Sequence, residues 1–475
     1  MNHDSKPAFS LASSPAAWAA ARRSACPGLV RVVAALDGGL CRIRLPGGLL
    51  QATQAHAIAE AALAHAQGAL ELTNRANLQV RGIRAGSEAA LTAALVDAGL
   101  GPGVCASADL RAADELRNLM LSPLAGLDSE ALIDTTKLVA PIVAMLQGEP
   151  RFAALSPKFA LLIDGGERLA ALDHPHDIWL AAAAHDDGVR FMFGLAGCPA
   201  DGSLGSLGSI AATEAVRLIH ALLHAFLDLA QPGETRMREV VAVHGAQAVL
   251  QRAQEHTSPD IACDRGWRRP GVDLALRLGV HALNRTRRYV GCEPPLARLD
   301  AATLHALATL AQTHGDGTLR ITPWQGAILP NIDNGVTRNV LERLQALGFI
   351  ADPAHPLART IACTGSAGCA KSRADTKADA LRLAAHLPPG VHVHLSGCER
   401  SCAAAHRAPF TLLAVAPGTY DVYEHDGAHR DEHLNERDAH TAPFGRSVAR
   451  HLTIEAAAQL FKQLLTQRPR STPDV

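Results

Sequence analysis

Apolar and polar positions alternate along Leu40-Cys-Arg-Ile-Arg-Leu45 and stop at Pro46-Gly47-Gly48, which predicts a strand running into a turn. An alanine-rich stretch with helical spacing follows, from about Thr53 to His65. Two strand candidates come next, Ala69–Thr73 and Asn77–Ile83. The second half of the chain repeats this order. Leu296-Ala-Arg-Leu299 leads into a helix from about Ala301 to His314, and then into the run Gly317–Ile332. Setting Leu72-Thr-Asn-Arg-Ala-Asn-Leu-Gln-Val80 against Ile321-Thr-Pro-Trp-Gln-Gly-Ala-Ile-Leu329 pairs Thr73 with Thr322 and Arg75 with Trp324. Both copies read strand–helix–strand–turn–strand, a duplicated α+β unit.

A longer α/β stretch follows each copy. The first, about Asp114 to Leu229, holds strand candidates Phe159–Ile163 and Val189–Phe193 and a long helix predicted over Ser209–Leu229. The second runs from about Thr360 to Leu465. The expected organisation is a disordered tail over 1–25, a first half-domain over 26–100 and a larger domain over 101–230. A linker over 231–271, a second half-domain over 272–350, a second larger domain over 351–468 and a tail over 469–475 complete it. The glycine-rich run Gly202–Gly208 matches neither a dinucleotide fingerprint nor a P-loop and reads as a turn before a helix. With no nicotinamide or flavin module in view, electrons are expected from a separate donor.

Composition narrows the class. The 475 residues exceed one ordinary core, and with aromatics at 4% the cores must be built from Ala, Leu, Val and Ile. Lys and Arg number 45 against 46 Asp and Glu, so there is no global polyanion signature and nucleic acid is not an expected partner. No apolar run is long enough for a membrane helix, and Met1–Ala25 lacks the pattern of a signal peptide. Cys26, Cys41, Cys105, Cys198, Cys263 and Cys292 stand singly, which fits a reducing cytoplasm.

The other four cysteines form a constellation. Cys363-Thr-Gly-Ser-Ala-Gly-Cys369 and Gly397-Cys398-Glu-Arg-Ser-Cys402 give Cys-x5-Cys and Cys-x3-Cys in glycine-bearing loops. Four thiolates on irregular backbone can enclose a [4Fe–4S] cluster, with glycine letting amide N–H groups approach sulfur. A structural zinc is the competing reading, but zinc pairs are usually spaced more tightly than x5. Redox chemistry is the expectation.

The duplicated unit together with this cysteine frame resembles the nitrite/sulfite reductase family over nearly the whole chain. The resemblance implies duplicated ferredoxin-like α+β halves, each followed by a larger mixed-sheet domain. It also implies a cluster beside a tetrapyrrole in the cleft between the halves, with Cys402 bridging cluster and sirohaem iron. A carboxylate-rich macrocycle demands local cations, because guanidinium groups bind carboxylates bidentately. The candidate substrate-binding residues are Arg42 and Arg44 on one expected strand face, Arg75 and Arg81 flanking Asn77 and Gln79, and Arg400. Arg117, in Arg-Asn-Leu-Met-Leu-Ser-Pro, and Lys158, in Ser-Pro-Lys-Phe-Ala, are the catalytic candidates. Any one arginine taken alone reads as a solvated surface charge.

Departures within the family point to one branch. The reductases carry a second lysine two residues after the first, where this chain has Ala160, and Cys-Pro-Asn-x-Cys where it has Cys398-Glu-Arg-Ser-Cys402. Losing that lysine removes charge where an anionic substrate needs it. Leu319-Arg-Ile-Thr-Pro-Trp-Gln325, Ser122-Pro-Leu-Ala-Gly-Leu-Asp128 and Asp164-Gly-Gly166 are similar to the precorrin-3B synthases of aerobic cobalamin biosynthesis. That resemblance implies a monooxygenase acting on precorrin-3A with O2, an external electron donor (an NAD(P)H-linked reductase or a ferredoxin) and a mononuclear non-haem iron. A sirohaem-dependent sulfite or nitrite reductase is the alternative, and a non-catalytic cluster or tetrapyrrole carrier a third reading. The two halves can build the cleft within one chain, so a monomer is expected. Histidine ligand candidates are weak: His392 and His394 are expected to share a strand face, His406 follows Cys402, and the His-rich segment 424–440 reads as a solvated loop.

Overall fold

The structure is a computed structural model that describes residues 26–103, 109–200, 205–257, 259–425 and 444–467. The tails expected over 1–25 and 469–475 lie outside these residues, as do His429, His433 and His440.

The two α+β halves are interlocked rather than adjacent. One five-stranded sheet runs, in spatial order, Val33–Ala35, Gly38–Ile43, Leu78–Ile83, Ala69–Leu72 and then Arg298–Asp300, which comes from the other half. The second runs Gly279–Ala282, Arg287–Cys292, Ala327–Asp333, Thr318–Ile321 and then Leu49–Gln51, which comes from the first half. Each half thus lends an antiparallel edge strand that covers the open edge of its partner.

Helices Ala52–His65 and Ala301–His314 follow directly on these lent strands, and their apolar sides belong to one hydrophobic core spanning both halves. Asp300 starts the second helix by accepting the Thr303 N–H at 2.7 Å, and Gln54 Oε1 accepts the Gln51 N–H at 3.1 Å at the start of the first. Alanine supplies much of the buried surface (Ala55, Ala59 and Ala62 on one helix, Ala308 and Ala311 on the other), which suits a chain short of aromatics.

The aligned turns are the same turn. Thr73 N–H donates to the Asn77 carbonyl and Thr322 N–H to the Gly326 carbonyl, both at 2.9 Å. Each threonine hydroxyl accepts the N–H four residues on, at 3.1 Å in both copies. Ala76 and Gln325 occupy the equivalent left-handed position, with φ of 53° and 63°.

The two larger domains also repeat each other. In the first, parallel strands Leu119–Leu121, Leu161–Asp164 and His176–His185 are followed by antiparallel Gly188–Gly197 and Gly208–Ala211. In the second, parallel Thr360–Ala362, Val393–Ser396 and Phe410–Ala416 precede antiparallel Thr419–Glu424 and Arg446–Leu452.

Several expectations change here. The helix predicted over Ser209–Leu229 begins only at Ala215, because Gly208–Ala211 pairs with Gly188–Gly197 and Ser209 exchanges backbone hydrogen bonds with Ala262. Residues 231–271, expected to link the halves, carry helices Met237–His244 and Ala246–Gln254, whose Met237, Val240, Val249 and Ala253 pack into the first larger domain. His392 and His394 do not share a face. The strand starts at Val393, His394 is buried and held down to about 4 by burial, and His392 is exposed.

One carboxylate ties three of these units together. Glu71, in strand Ala69–Leu72, is 6% exposed. It meets Arg298 of the lent strand at 2.6 Å, Arg81 of its own sheet at 3.6 Å and Lys377 of the cysteine-bearing domain at 3.6 Å. It also accepts the Thr364 hydroxyl at 2.9 Å. Burial alone would raise its carboxyl; Lys377, Arg81 and Arg298 outweigh that and hold it below the ordinary value. Glu71→Gln is expected to cost about 3–5 kcal/mol by leaving buried cations unpaired. Because the folded pKa is depressed, this contribution is present above about pH 4.5 and fades as pH falls through the folded value. Urea midpoints should therefore separate the proteins widely at about pH 7, and the separation should shrink as pH is lowered below the ordinary carboxylate range. Equal midpoints at neutral pH would remove Glu71 from this role.

Candidate functional site

The first cysteine pair sits where strand Thr360–Ala362 ends. Cys363 N–H still donates to Leu395 O, and then the chain turns at Gly365, φ +77°, where an added Cβ would lie 2.8 Å from Thr376 N. Cys369 N–H donates back to Gly365 O at 2.9 Å, closing the loop. The second pair leaves strand Val393–Ser396. Gly397 lies so close to Ser372 that a Cβ there would collide with its Oγ, while its N–H donates to Cys363 Sγ at 3.3 Å.

The four thiols converge. Cys402 has its pKa raised by burial and then by Cys398, Cys363 and Cys369, with Arg400 acting the other way. Four soft ligands on irregular backbone, one already receiving an amide hydrogen bond, fit a [4Fe–4S] cluster and supply thiolates once deprotonated.

This loop pair is docked by buried charge. Arg81 grips Asp37 bidentately, at 2.8 and 3.0 Å, and donates to Gly368 O at 3.2 Å. The Leu36 N–H donates to the same carbonyl at 3.3 Å. Glu71 reaches the loop through Thr364, and Lys377, beside Glu71 and Cys363, lines the same cavity as Cys402.

Two cavities meet at Ala403, the residue after Cys402. One is lined by Arg42, Gln79, Thr73, Cys363, Lys377 and Cys402. The other is lined by His174, His406, Trp324, Glu293 and Arg277. Asn74, Ala297, Gln325 and Ala403 border both.

Groups in and around the cavities carry perturbed titrations. Arg42 donates to Gln79 Oε1 through Nε at 3.3 Å and Nη2 at 2.9 Å, and burial and then Arg44 lower its pKa to about 10, so it stays charged at neutral pH. Arg75, in the turn rather than the strand, donates to Pro175 O at 3.4 Å and is likewise lowered to about 10 by burial and Arg236. Glu293 is pushed up to about 7 by burial.

The sequence candidates therefore divide. Arg42 and Gln79 reach a cavity together, with Cys363 and Cys402. Arg44 does not share their face: the strand ends at Ile43, and Arg44 turns inward to Asp114 at 3.4 Å. Asn77 is buried, its Oδ1 accepting the Leu45 N–H at 2.8 Å. Arg81 holds the cysteine loop, as described above. Arg117 is buried against Asp114 at 2.8 Å and Leu100 O at 2.7 Å, serving that network rather than meeting a ligand. Lys158 and Arg400 are exposed.

Glu71, Lys377, Asp173, His174 and Glu293 went unremarked in the sequence. A lone carboxylate inside Ala69-Leu-Glu-Leu72 and the close set Asp173-His-Pro-His-Asp177 were the available signals.

The sequence model described as "Nitrite/Sulfite reductase ferredoxin-like half domain" matches residues 35–98 and again 283–347. "Nitrite and sulphite reductase 4Fe-4S domain" matches residues 112–260, and the two together span more than half of the chain. This chain belongs to the nitrite/sulfite reductase family. The 4Fe-4S match falls on the first larger domain and not on the copy bearing the four cysteines, so the assignment of those cysteines to a cluster rests on their own geometry.

Curated relatives include the ferredoxin–nitrite reductase of Synechococcus elongatus, 28% identical over 90% of this chain and 86% of that protein. The precorrin-3B synthase of Sinorhizobium sp is 27% identical over 84% of this chain and 82% of that one. The chloroplastic ferredoxin–nitrite reductase of Oryza sativa subsp. japonica is 28% identical over 76% of this chain, which spans 64% of that relative. A solved structure of the NirA protein of Mycobacterium tuberculosis shares the fold, with TM-score 0.71 at 20% identity, covering 91% of this chain and 82% of that one.

The cluster assignment predicts that Cys398→Ser, prepared anaerobically, loses most of its iron and acid-labile sulfide. Cys263→Ser, an exposed single cysteine, should retain both. Equal iron and sulfide in the two variants would exclude the four-cysteine set.

Proposed function

We propose that this chain is an O2-dependent monooxygenase of a corrin precursor, acting as a precorrin-3B synthase. Precorrin-3A would be hydroxylated at C20 while its ring A acetate closes a γ-lactone onto C1. One O2, two electrons and two protons balance the step, leaving one oxygen in the product and the other as water. The electrons come from an external donor, a ferredoxin or an NAD(P)H-linked reductase.

One observation carries the reading. Position 160, where the resemblance to the reductases calls for a second lysine, is a buried alanine whose N–H donates to Asp177 Oδ2 at 2.9 Å. A cleft working on a small anion needs that cation. One working on a macrocycle that brings its own carboxylates needs cations at the rim instead, and Arg42, half-buried and charged in the wall of the thiol cavity, is of the kind required. The likeness to the Sinorhizobium synthase supports the same reading. Cys363, Cys369, Cys398 and Cys402 would hold the cluster, which supplies one-electron transfer when bound. Glu293, near neutrality at the cavity wall, can hold or release a proton there.

A sirohaem-dependent nitrite or sulfite reductase is the second reading. It is favoured by Cys402, which lines a cavity beside Arg42, as a bridge from cluster to haem iron would require.

Absorption of the anaerobically purified protein separates the two. The synthase reading expects a broad cluster shoulder alone, and a Soret band with sirohaem bands would sink it. Incubation with precorrin-3A and a reductant, followed by O2, should give the hydroxylated lactone by mass spectrometry; its absence from cluster-loaded protein would favour a carrier. Arg75→Ala is expected to weaken tetrapyrrole binding about tenfold or more while cluster absorbance persists. Unchanged affinity would take Arg75 out of the site.

A further inference from the structure

We propose that Asp173, His174 and His406 form a divalent-metal site on the wall of the cleft, next to the cysteine frame. Their ligand atoms all lie within 4.8 Å of one another. Asp173 and His174 come from the segment before strand His176–His185 in the first larger domain, whereas His406 comes from the second, in the loop that leaves Cys402. The site exists only because the two domains meet.

His174 is 3% exposed and hydrogen-bonds Asp173 Oδ1 through Nδ1 at 2.9 Å. His406 Nε2 lies 3.3 Å from the other carboxylate oxygen. Two imidazoles and one carboxylate leave coordination positions open, the donor set that first-row divalent ions such as Fe2+ and Co2+ accept. The open side has somewhere to face: His174 and His406 line the cavity of Trp324, Gln325 and Glu293. Ala403 of the Cys402 loop borders that cavity and the thiol cavity alike.

A second cluster of the same chemistry, Glu149, His220 and His224, lies on the helix Ala215–Leu229 and its neighbouring turn. It lines neither of the two cavities and serves as the internal control.

A role for this metal in oxygen chemistry rests on the monooxygenase reading. The site itself does not, and it is read without substrate. Co2+ is titrated anaerobically into cluster-loaded protein and followed by electron paramagnetic resonance. An oxidised [4Fe–4S] cluster is diamagnetic, so high-spin Co2+ supplies the signal. One equivalent per chain should bind in the wild type and in His220→Ala, and should be lost in His406→Ala and in Asp173→Ala while cluster absorbance stays. Saturable binding that survives His406→Ala and disappears in His220→Ala, or no saturable binding at all, would overturn the assignment. Metal binding without any lactone product would refute the monooxygenase reading and leave the site standing.

Discussion

The carboxylate of Glu71 is the point on which the assembly depends. It is a negative charge with almost no water, set among Arg298, Arg81 and Lys377, and each cation comes from a different part of the chain. Removing two charges from water is costly, and only near-complete pairing recovers the cost. The arrangement is therefore intolerant of misplacement: strand exchange, sheet edge and cysteine domain must all be in position before the charges balance. Asp37 and Arg81 extend the pairing to the carbonyl of Gly368, so the cysteine loop is held by the same network. Positive charge is in excess there. Lys377 feels Cys363, and a surplus cation there would offset the negative charge of a cluster held by the four thiolates.

Much of the fold was legible because duplication leaves a trace in order and spacing. Thr73 and Thr322 matched by alignment, and their hydroxyls make the same hydrogen bond in the structure. What could not be read was the exchange of Leu49–Gln51 and Arg298–Asp300, because three residues carry no periodicity and a partner far along the sequence decides their state. Strand His176–His185 was hidden for a related reason. Its run Ala181–Ala184 has no strand preference of its own and is extended because all four residues pair with strand Gly188–Gly197, and Ala181 also with Asp164.

The site was legible where spacing carries chemistry and opaque where burial does. Four cysteines in two loops announce a metal centre. Arginines do not announce whether they face a ligand or a carboxylate of their own protein. Arg44 and Arg117 share Asp114, an acid 70 residues from one and three from the other, and no pattern along the strand distinguishes Arg44 from Arg42. Likewise Asp173 and His174 gain meaning only beside His406, which the fold alone brings to them.

The family likeness is unevenly distributed between the copies. The half-domain model matches twice, whereas the 4Fe-4S domain model matches the larger domain that has lost, or never had, the cysteine frame. The lent edge strands bear on how a ligand reaches the space between these copies. Sheets that complete each other around one core cannot swing apart like jaws, since opening would break both ladders at once. The gap has its width set when the chain folds, and entry is left to the loops along its rim.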